Sequence, residues 1–228
     1  MKKKSIVLLS SGLDSTVNLA VARSQTDVVL ALTFDYGQRS SKKELQSSQK
    51  ICRHYKIPWQ VIDIKWLKNL GESSLTKTSH TVPVGKSVSI DNLKTSKKSA
   101  KSVWIPNRNG VFLNIAAAFA ESLKADLIIP GFNAEEAKTF PDNSLPFITK
   151  INSALAYSTM NKVKTKCFTI KMQKTEIVKL GIKNQAPFQL MWPCYFSGNQ
   201  WCGQCESCQR AKRAFAANHL NVGDYFKS

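Results

Sequence analysis

Ser5-Ile6-Val7-Leu8-Leu9-Ser10-Ser11-Gly12-Leu13-Asp14-Ser15-Thr16 is the stretch on which the rest of the chain depends. It opens as a short, continuous apolar run with β-branched residues at its start, the pattern of a buried strand in a parallel sheet. The run breaks at small polar residues and Gly12, then resumes with helical character over Thr16-Val17-Asn18-Leu19-Ala20-Val21-Ala22. A strand that turns through small residues into a helix can hold phosphate. The N–H groups of the turn form a concave nest, and the helix N-terminus adds partial positive charge. The spacing is neither Gly-x-x-x-x-Gly-Lys-[Ser/Thr] nor Gly-x-Gly-x-x-Gly. Asp14 and Ser15 fall at the helix start, where an Asp can cap the helix or hold a metal ion. An ordinary turn capped by Ser and Asp uses the same residues, so the stretch alone leaves both readings open.

The chain has 228 residues, enough for one substantial α/β core. An α/β domain over residues 1–185 and a C-terminal segment, 186–228, are expected. No apolar run reaches the ~18 residues of a membrane span. Met1-Lys2-Lys3-Lys4 could begin a secretory signal, but the apolar run after it is short and Ser10 to Asp14 interrupts it. A cytoplasmic protein is expected. The formal charge is +18, from 33 basic against 15 acidic residues. That excess attracts polyanions, with nucleic acid on one side and nucleotide phosphate plus an anionic substrate on the other. Most of the lysines are scattered, as on a generally basic surface.

Beyond the first strand and helix, Val28 to Phe34 predicts a second buried strand running into the turn Asp35-Tyr36-Gly37-Gln38-Arg39. Helical spacing follows from Ser41 to Tyr55, and Trp59 to Ile64 makes a third strand. This β-α-β-α-β order implies a parallel sheet with helices on both faces, ligands binding at the strands' carboxyl ends. Both turns belong to that edge. Between Leu70 and Val103 the pattern dissolves into Ser, Thr and Lys, which predicts a mobile basic loop, either a lid or an exposed insertion. Val111 to Leu123 reads as an apolar helix and Asp126 to Gly131 as a fourth strand. A polar loop covers Phe132 to Ser144, and a helix Leu145 to Met160. Cys167 to Ile170 is expected as a short final strand, and Thr175 to Leu180 as a helix closed by Gly181.

The most specific pattern is Cys194-x7-Cys202-x2-Cys205-x2-Cys208. Four thiolates complete a tetrahedral zinc and leave no position for water, so the site is structural. An iron–sulfur cluster or a catalytic cysteine pair would compete for the same ligands. Arg210, Lys212 and Arg213 follow the last ligand, as in small zinc modules that grip nucleic acid or on a solvated face offsetting the thiolates.

Ser10 to Ser15 also resembles the Ser-Gly-Gly-x-Asp-Ser pyrophosphate loop of ATP pyrophosphatases, with Ser11 in place of the first glycine. Further residues narrow the family. They are Phe34-Asp35-Tyr36-Gly37-Gln38-Arg39 with Glu44-Leu45, Pro106-x-Arg108-Asn109 with Phe112-Leu113, Lys174-Thr175-Glu176, and the cysteine spacing with Cys194-Tyr195 and Cys202-Gly203. Together they resemble the 7-cyano-7-deazaguanine synthases, nitrile-forming enzymes of queuosine-precursor biosynthesis. The resemblance implies a Rossmann-like sheet of the adenine-nucleotide α-hydrolase type with a zinc-binding four-cysteine segment. It implies ATP and Mg²⁺ at Leu9, Ser10, Ser11, Gly12, Leu13, Asp14, Ser15, Thr16, Val17, Asn18 and Leu19. Asp14, Arg39, Arg108 and Lys174 become catalytic candidates, and Asn109, Gly131, Phe140 and Asp142 candidates for holding a small anionic deazapurine. Ammonia is the implied co-substrate and a homodimer the implied assembly, with no membrane partner. Two further departures stand out. Ser40 occupies a position the family usually gives to His, and Lys138 to Ser144 differs from the family's Ser-Gly-Tyr-Pro-Asp-Cys-Arg. Related enzymes acting on other deazaguanines therefore remain open. A tRNA thiolase would need a cysteine beside the nucleotide, and neither Cys52 nor Cys167 is well placed for it. A nucleic-acid-binding zinc module leaves the ATP loop and Pro106–Asn109 unexplained, so nucleic acid is not an expected partner.

Overall fold

The computed structural model describes residues 1–221 and 223–225. Its parallel sheet contains β1 (Lys4–Leu8), β2 (Asp27–Asp35), β3 (Trp59–Asp63), β4 (Leu127–Ile129) and β5 (Lys164–Thr165), in the order β3-β2-β1-β4-β5. The central strand is the apolar run from the opening stretch. It pairs with β2 through contacts such as Val7↔Ala31, and with β4 through Val7↔Ile129. Because the chain leaves β1 toward β2 on one side and returns beside it as β4 on the other, the order reverses at β1. A crevice opens there, at the carboxyl ends of the strands.

Both faces of the sheet are covered, which explains the unbroken apolar run. Ile6 and Leu8 join Leu32, Phe34 and Leu113 in one core, and Val7 and Leu9 join Leu19, Ala31 and Ile51 in another. The helices are α1 (Leu13–Gln25), α2 (Ser41–Tyr55), α3 (Leu93–Val103), α4 (Arg108–Ser122), α5 (Leu145–Ser158), α6 (Lys174–Lys183) and α7 (Glu206–Ala216). A third cluster joins Val17 of α1, Ile177 of α6 and Phe215 of α7 to Cys194, Cys205 and Cys208, so the four-cysteine segment shares a core with the first helix. Among the described residues, no helix is long and apolar enough to cross a membrane.

Three local expectations need correction. Residues 70–103 are not simply a loop: they contain α3, and Leu75, Val82, Val88, Ala100 and Val103 are buried. On α3 the buried positions are Ser96, Ser99, Ala100 and Val103, a helical i, i+3, i+4, i+7 stripe carried largely by serines. Serine hides such a stripe from a hydropathy reading; here its hydroxyls are satisfied by Ser89 O and by the Glu206 carboxylate. The last strand is Lys164–Thr165 rather than Cys167–Ile170. The later segment is instead tied to α1, where Asn18 accepts from Phe168 N–H at 2.9 Å and donates to Thr169 Oγ1 at 2.6 Å. Gly181 does not close its helix, which continues to Lys183. A Cβ there would lie 2.5 Å from the Phe188 ring and 2.8 Å from Val17 Cγ2, so the glycine lets helices and loop approach closely.

Candidate nucleotide site and metal centre

At the end of β1 the chain turns sharply: Ser11 has φ 58°, Gly12 is extended at φ −68° and ψ 170°, and α1 begins at Leu13. The first amides of a helix have no intrahelical acceptor, so this end offers donors and partial positive charge to an anion. Ser15 Oγ folds back over the turn, accepting from Ser10 N–H at 3.3 Å and donating to Gly12 O at 3.2 Å. Trp192 N–H pins the Ser11 carbonyl at 2.9 Å.

The side chain at Ser11 contributes little to this arrangement. Its backbone is left-handed, and its buried hydroxyl has no hydrogen-bond partner. Ser11→Gly removes both penalties, at some cost in unfolded-chain entropy. The variant is expected to gain about 0.5–1 kcal/mol in urea unfolding while preserving ATP use. A severe loss of activity would give the hydroxyl a role of its own.

Gly131, just past β4, faces the same turn. A Cβ there would lie 2.5 Å from Ser15 N and 2.7 Å from its Cα. Gly131→Ala must therefore push the loop out of place, and a displacement of this size is expected to cost ~100-fold in kcat/KM for ATP. A variant within threefold of wild type would show that the loop tolerates the shift.

Beneath the loop lies a buried clamp. Lys174, at the start of α6, places Nζ 2.5 Å from Asp14 Oδ2 and 2.7 Å from Glu136 Oε1. Asn133 adds a bond to Asp14 Oδ2 at 3.2 Å, whereas Asp14 Oδ1, also buried, has no partner. Burial raises the Asp14 pKa to about 6, against the pull of Lys174 and with Glu136 adding to the rise. Burial alone would lower the Lys174 pKa, but the two carboxylates together drive it up. A partnerless carboxylate oxygen beside a phosphate-type loop suits a hard divalent cation, so Mg²⁺ with ATP fits Asp14.

These groups line one side of a cavity of about 220 Å³ at the strands' carboxyl edge. Across it stand Tyr36, Gln38, Ser40 and Glu44 from the second turn, with Arg108 and Asn109 from the first turn of α4. Phe34 and Phe112 stack at 4.2 Å between ring centroids and give that wall a flat apolar surface. Arg108 donates to Tyr36 Oη at 3.4 Å; burial still pushes the Tyr36 pKa up to about 12. Asn109 donates to the backbone carbonyl of Asp142 at 3.4 Å.

Leu9, Ser10, Gly12, Leu13, Asp14, Ser15, Arg108, Asn109, Gly131, Phe140 and Lys174 all line this cavity. The remaining candidates lie elsewhere. Thr16, Val17 and Leu19 are buried behind the loop, and Asn18 faces Phe168 and Thr169. Asp142 is not on the lining, where its neighbour Asn143 stands, but it lies close enough to feel the Arg108 charge, and its buried Oδ1 has no hydrogen-bond partner. Arg39 is engaged by backbone: Nε donates to Ser74 O at 2.7 Å, and one NH₂ to Lys77 O at 2.8 Å and His80 O at 2.6 Å. It organises the segment that brings Leu75 to the cavity. Glu136 was not among the sequence candidates. Its signal was the Glu135-Glu136 pair, four and five residues beyond Gly131, within a loop of many polar groups.

The four cysteine sulfurs of residues 194, 202, 205 and 208 lie within 4.8 Å of one another, and all are free thiols. Amides of Phe196 and Cys202 point at Cys194 Sγ, and those of Gln204 and Cys205 at Cys202 Sγ. Such donors orient thiolates and spread their charge, so the donor set fits a tetrahedral metal. Arg210 lies on no solvated face: it is buried between Glu135 at 2.7 Å and Glu206 at 2.8 Å. Glu135 in turn accepts from Lys174 N–H at 2.8 Å, linking α7 to the clamp.

Comparisons with known proteins agree with this arrangement. The sequence profile of the family described as Queuosine biosynthesis protein QueC matches residues 4–219. The 7-cyano-7-deazaguanine synthase of Bdellovibrio bacteriovorus is 55% identical over 226 residues, 99% of this chain and 98% of its own. That of Carboxydothermus hydrogenoformans is 50% identical over 216 residues, 95% of this chain and 100% of its own. Among solved structures, the U34-tRNA thiolase NcsA of Methanococcus maripaludis, solved with its 4Fe-4S cluster, shares the fold. Its TM-score is 0.52 at 17% identity, over 96% of this chain and 66% of that one. Nearly end-to-end matches at half identity admit one conclusion: the chain belongs to the QueC family of queuosine biosynthesis proteins.

Proposed function

We propose that the protein makes 7-cyano-7-deazaguanine from 7-carboxy-7-deazaguanine and ammonia, using ATP. The observation that carries this reading is the Asp14–Lys174–Glu136 clamp directly beneath an anion-accepting helix start, in a member of this family. A carboxylate is a poor electrophile because its leaving group would be an oxide. Attack on the α phosphate of ATP gives an acyl-adenylate, from which AMP leaves readily, and ammonia then yields the amide. A second ATP activates the amide oxygen, and loss of AMP leaves the nitrile.

The chain's contribution to these steps is positioning and charge stabilisation. Amides at the start of α1 and Ser10, Gly12 and Ser15 would hold pyrophosphate, and Lys174 would face the negative charge that develops there. Mg²⁺, when bound, neutralises phosphate charge, and Asp14 would hold it. Arg108 and Asn109 would orient the deazapurine against Phe112 and Phe34, with Phe140 closing the edge. Zinc at the four cysteines would be structural, holding α7 against α1 and α6.

Incubation with ATP, Mg²⁺, ammonium and the 7-carboxy base, followed by mass spectrometry, tests the reading. Nitrile with AMP is the expected result. ADP as product, or AMP formed only with a different acid, would sink it.

A further inference from the structure

Among the described residues, three carboxylates line the cavity: Asp14, Glu44 and Glu136. Two of them are ion-paired with the same ammonium, Lys174 Nζ. Glu44 differs in kind. It makes no salt bridge among the described residues, and its hydrogen bonds come from neutral groups, Ser40 Oγ at 2.5 Å and Gln38 Nε2 at 2.9 Å. Those donors are themselves fixed, since Gln38 also donates to Phe34 O and accepts from Tyr36 N–H. A carboxylate offers about four lone-pair sites, so one donor on each oxygen leaves acceptor capacity free. The group is held in orientation with no cation in contact with it, Arg108 acting on it only through space, on the wall opposite the Lys174 clamp.

The proposed reaction needs such a group. Ammonia in neutral water is almost wholly ammonium, which has no lone pair with which to attack. It must be bound by an anion and relieved of a proton beside the acyl carbon. Asp14 and Glu136 are both engaged with Lys174, on the phosphate side. We infer that Glu44 is the ammonium site of this enzyme and the base that converts ammonium to ammonia; this rests on the proposed function above.

In the step, ammonium gives one proton to the Glu44 carboxylate. The freed nitrogen lone pair forms the C–N bond, and the C–O bond to AMP breaks with its electron pair on AMP. The second excess proton passes from the attached nitrogen to a phosphate oxygen of departing AMP. Acyl-adenylate, ammonium and Glu44 carboxylate thus become amide, singly protonated AMP and Glu44 acid, with atoms and charge balanced. Burial raises the Glu44 pKa even though Ser40, Gln38 and the nearby Arg108 guanidinium stabilise its charge, which makes it a stronger proton acceptor than an ordinary carboxylate.

Glu44→Gln keeps the shape and removes the base. Adenylation precedes ammonia, so pyrophosphate exchange into ATP with the 7-carboxy base is expected to stay within about threefold of wild type, whereas kcat/KM for ammonium falls ~100-fold or more. Hydroxylamine is uncharged at neutral pH and needs no base, so the variant is expected to form hydroxamate at the wild-type rate. If pyrophosphate exchange falls as far as the ammonium step, or hydroxylamine fails to rescue, Glu44 is structural and the inference is overturned. Should the Gln variant fail to fold, Glu44→Asp retains the charge and must show the same selective, smaller defect. Wild-type enzyme that exchanges no pyrophosphate with the 7-carboxy base would overturn the proposed function itself, and this inference with it.

Discussion

Lys174→Met is expected to abolish AMP formation and to lower the unfolding free energy by about 3–5 kcal/mol, the usual consequence of removing one partner from a buried ion pair. The lysine is 5% exposed and is the ammonium on which both Asp14 and Glu136 close. Without it, the buried Asp14 carboxylate and the partly buried Glu136 carboxylate are left beside one another with no ammonium between them, each costly to keep ionised. The defect should depend on pH, with a definite sign. Burial already raises the Asp14 pKa to about 6 with Lys174 present. Burial also pushes on Glu136, and only Lys174 and the other groups around it bring that pKa below the ordinary value. Removing Lys174 takes away the largest lowering influence on each, so both folded-state values rise. A carboxylate shifted in that direction costs stability above its folded pKa and nothing where both states are protonated. The gap between variant and wild type is thus expected to narrow from about pH 8 to about pH 5. Urea unfolding at the two pH values measures it, and a gap independent of pH would mean the carboxylates are not what the lysine stabilises.

Loss of a cysteine ligand should have the other large effect. In Cys208→Ser, the zinc proposed for this centre is expected to fall from about one per chain to near none, and most of the protein to become insoluble. Structural zinc contributes about 10–16 kcal/mol of apparent binding energy, comparable to the whole stability of a typical domain, about 5–15 kcal/mol. Cys208 is fully buried, in the same cluster as Val17, Ile177 and Phe215, so the damage cannot stay local. Arg210 sits half a turn beyond, and its bond to Glu135 leads on to Lys174 N–H. A chelator is therefore expected to weaken ATP binding together with the loss of metal. Metal content and nucleotide affinity, followed on one sample, would separate this from an independent module, whose removal would leave ATP binding intact.

The strand–turn–helix at the candidate site was legible because two independent patterns met there. A doubly buried parallel strand must be apolar throughout, and the phosphate turn after it must be small and polar; Ser5 to Ser15 satisfies both. The cysteine centre was legible because metal ligation fixes residue type and spacing. What could not be read depended on partners distant in sequence. Nothing local says that Arg39 turns to the carbonyls of residues 74, 77 and 80 while Arg108 turns inward. Glu136 gains its role only when β4 brings it beside Lys174. In α3, serine hydroxyls find buried acceptors supplied by other segments, and composition alone reads them as solvent-exposed.

The Asp14–Lys174 bond spans 160 positions of chain. During synthesis, Asp14 has no Lys174 to pair with until β2, β3, β4 and β5 have been laid down, and burying its charge without that partner is costly. The turn after β1 thus emerges first, and the clamp on its Asp14 is completed only when α6 arrives. Completing this edge of the sheet is therefore a late, long-range event in folding, the kind of contact that slows a chain most.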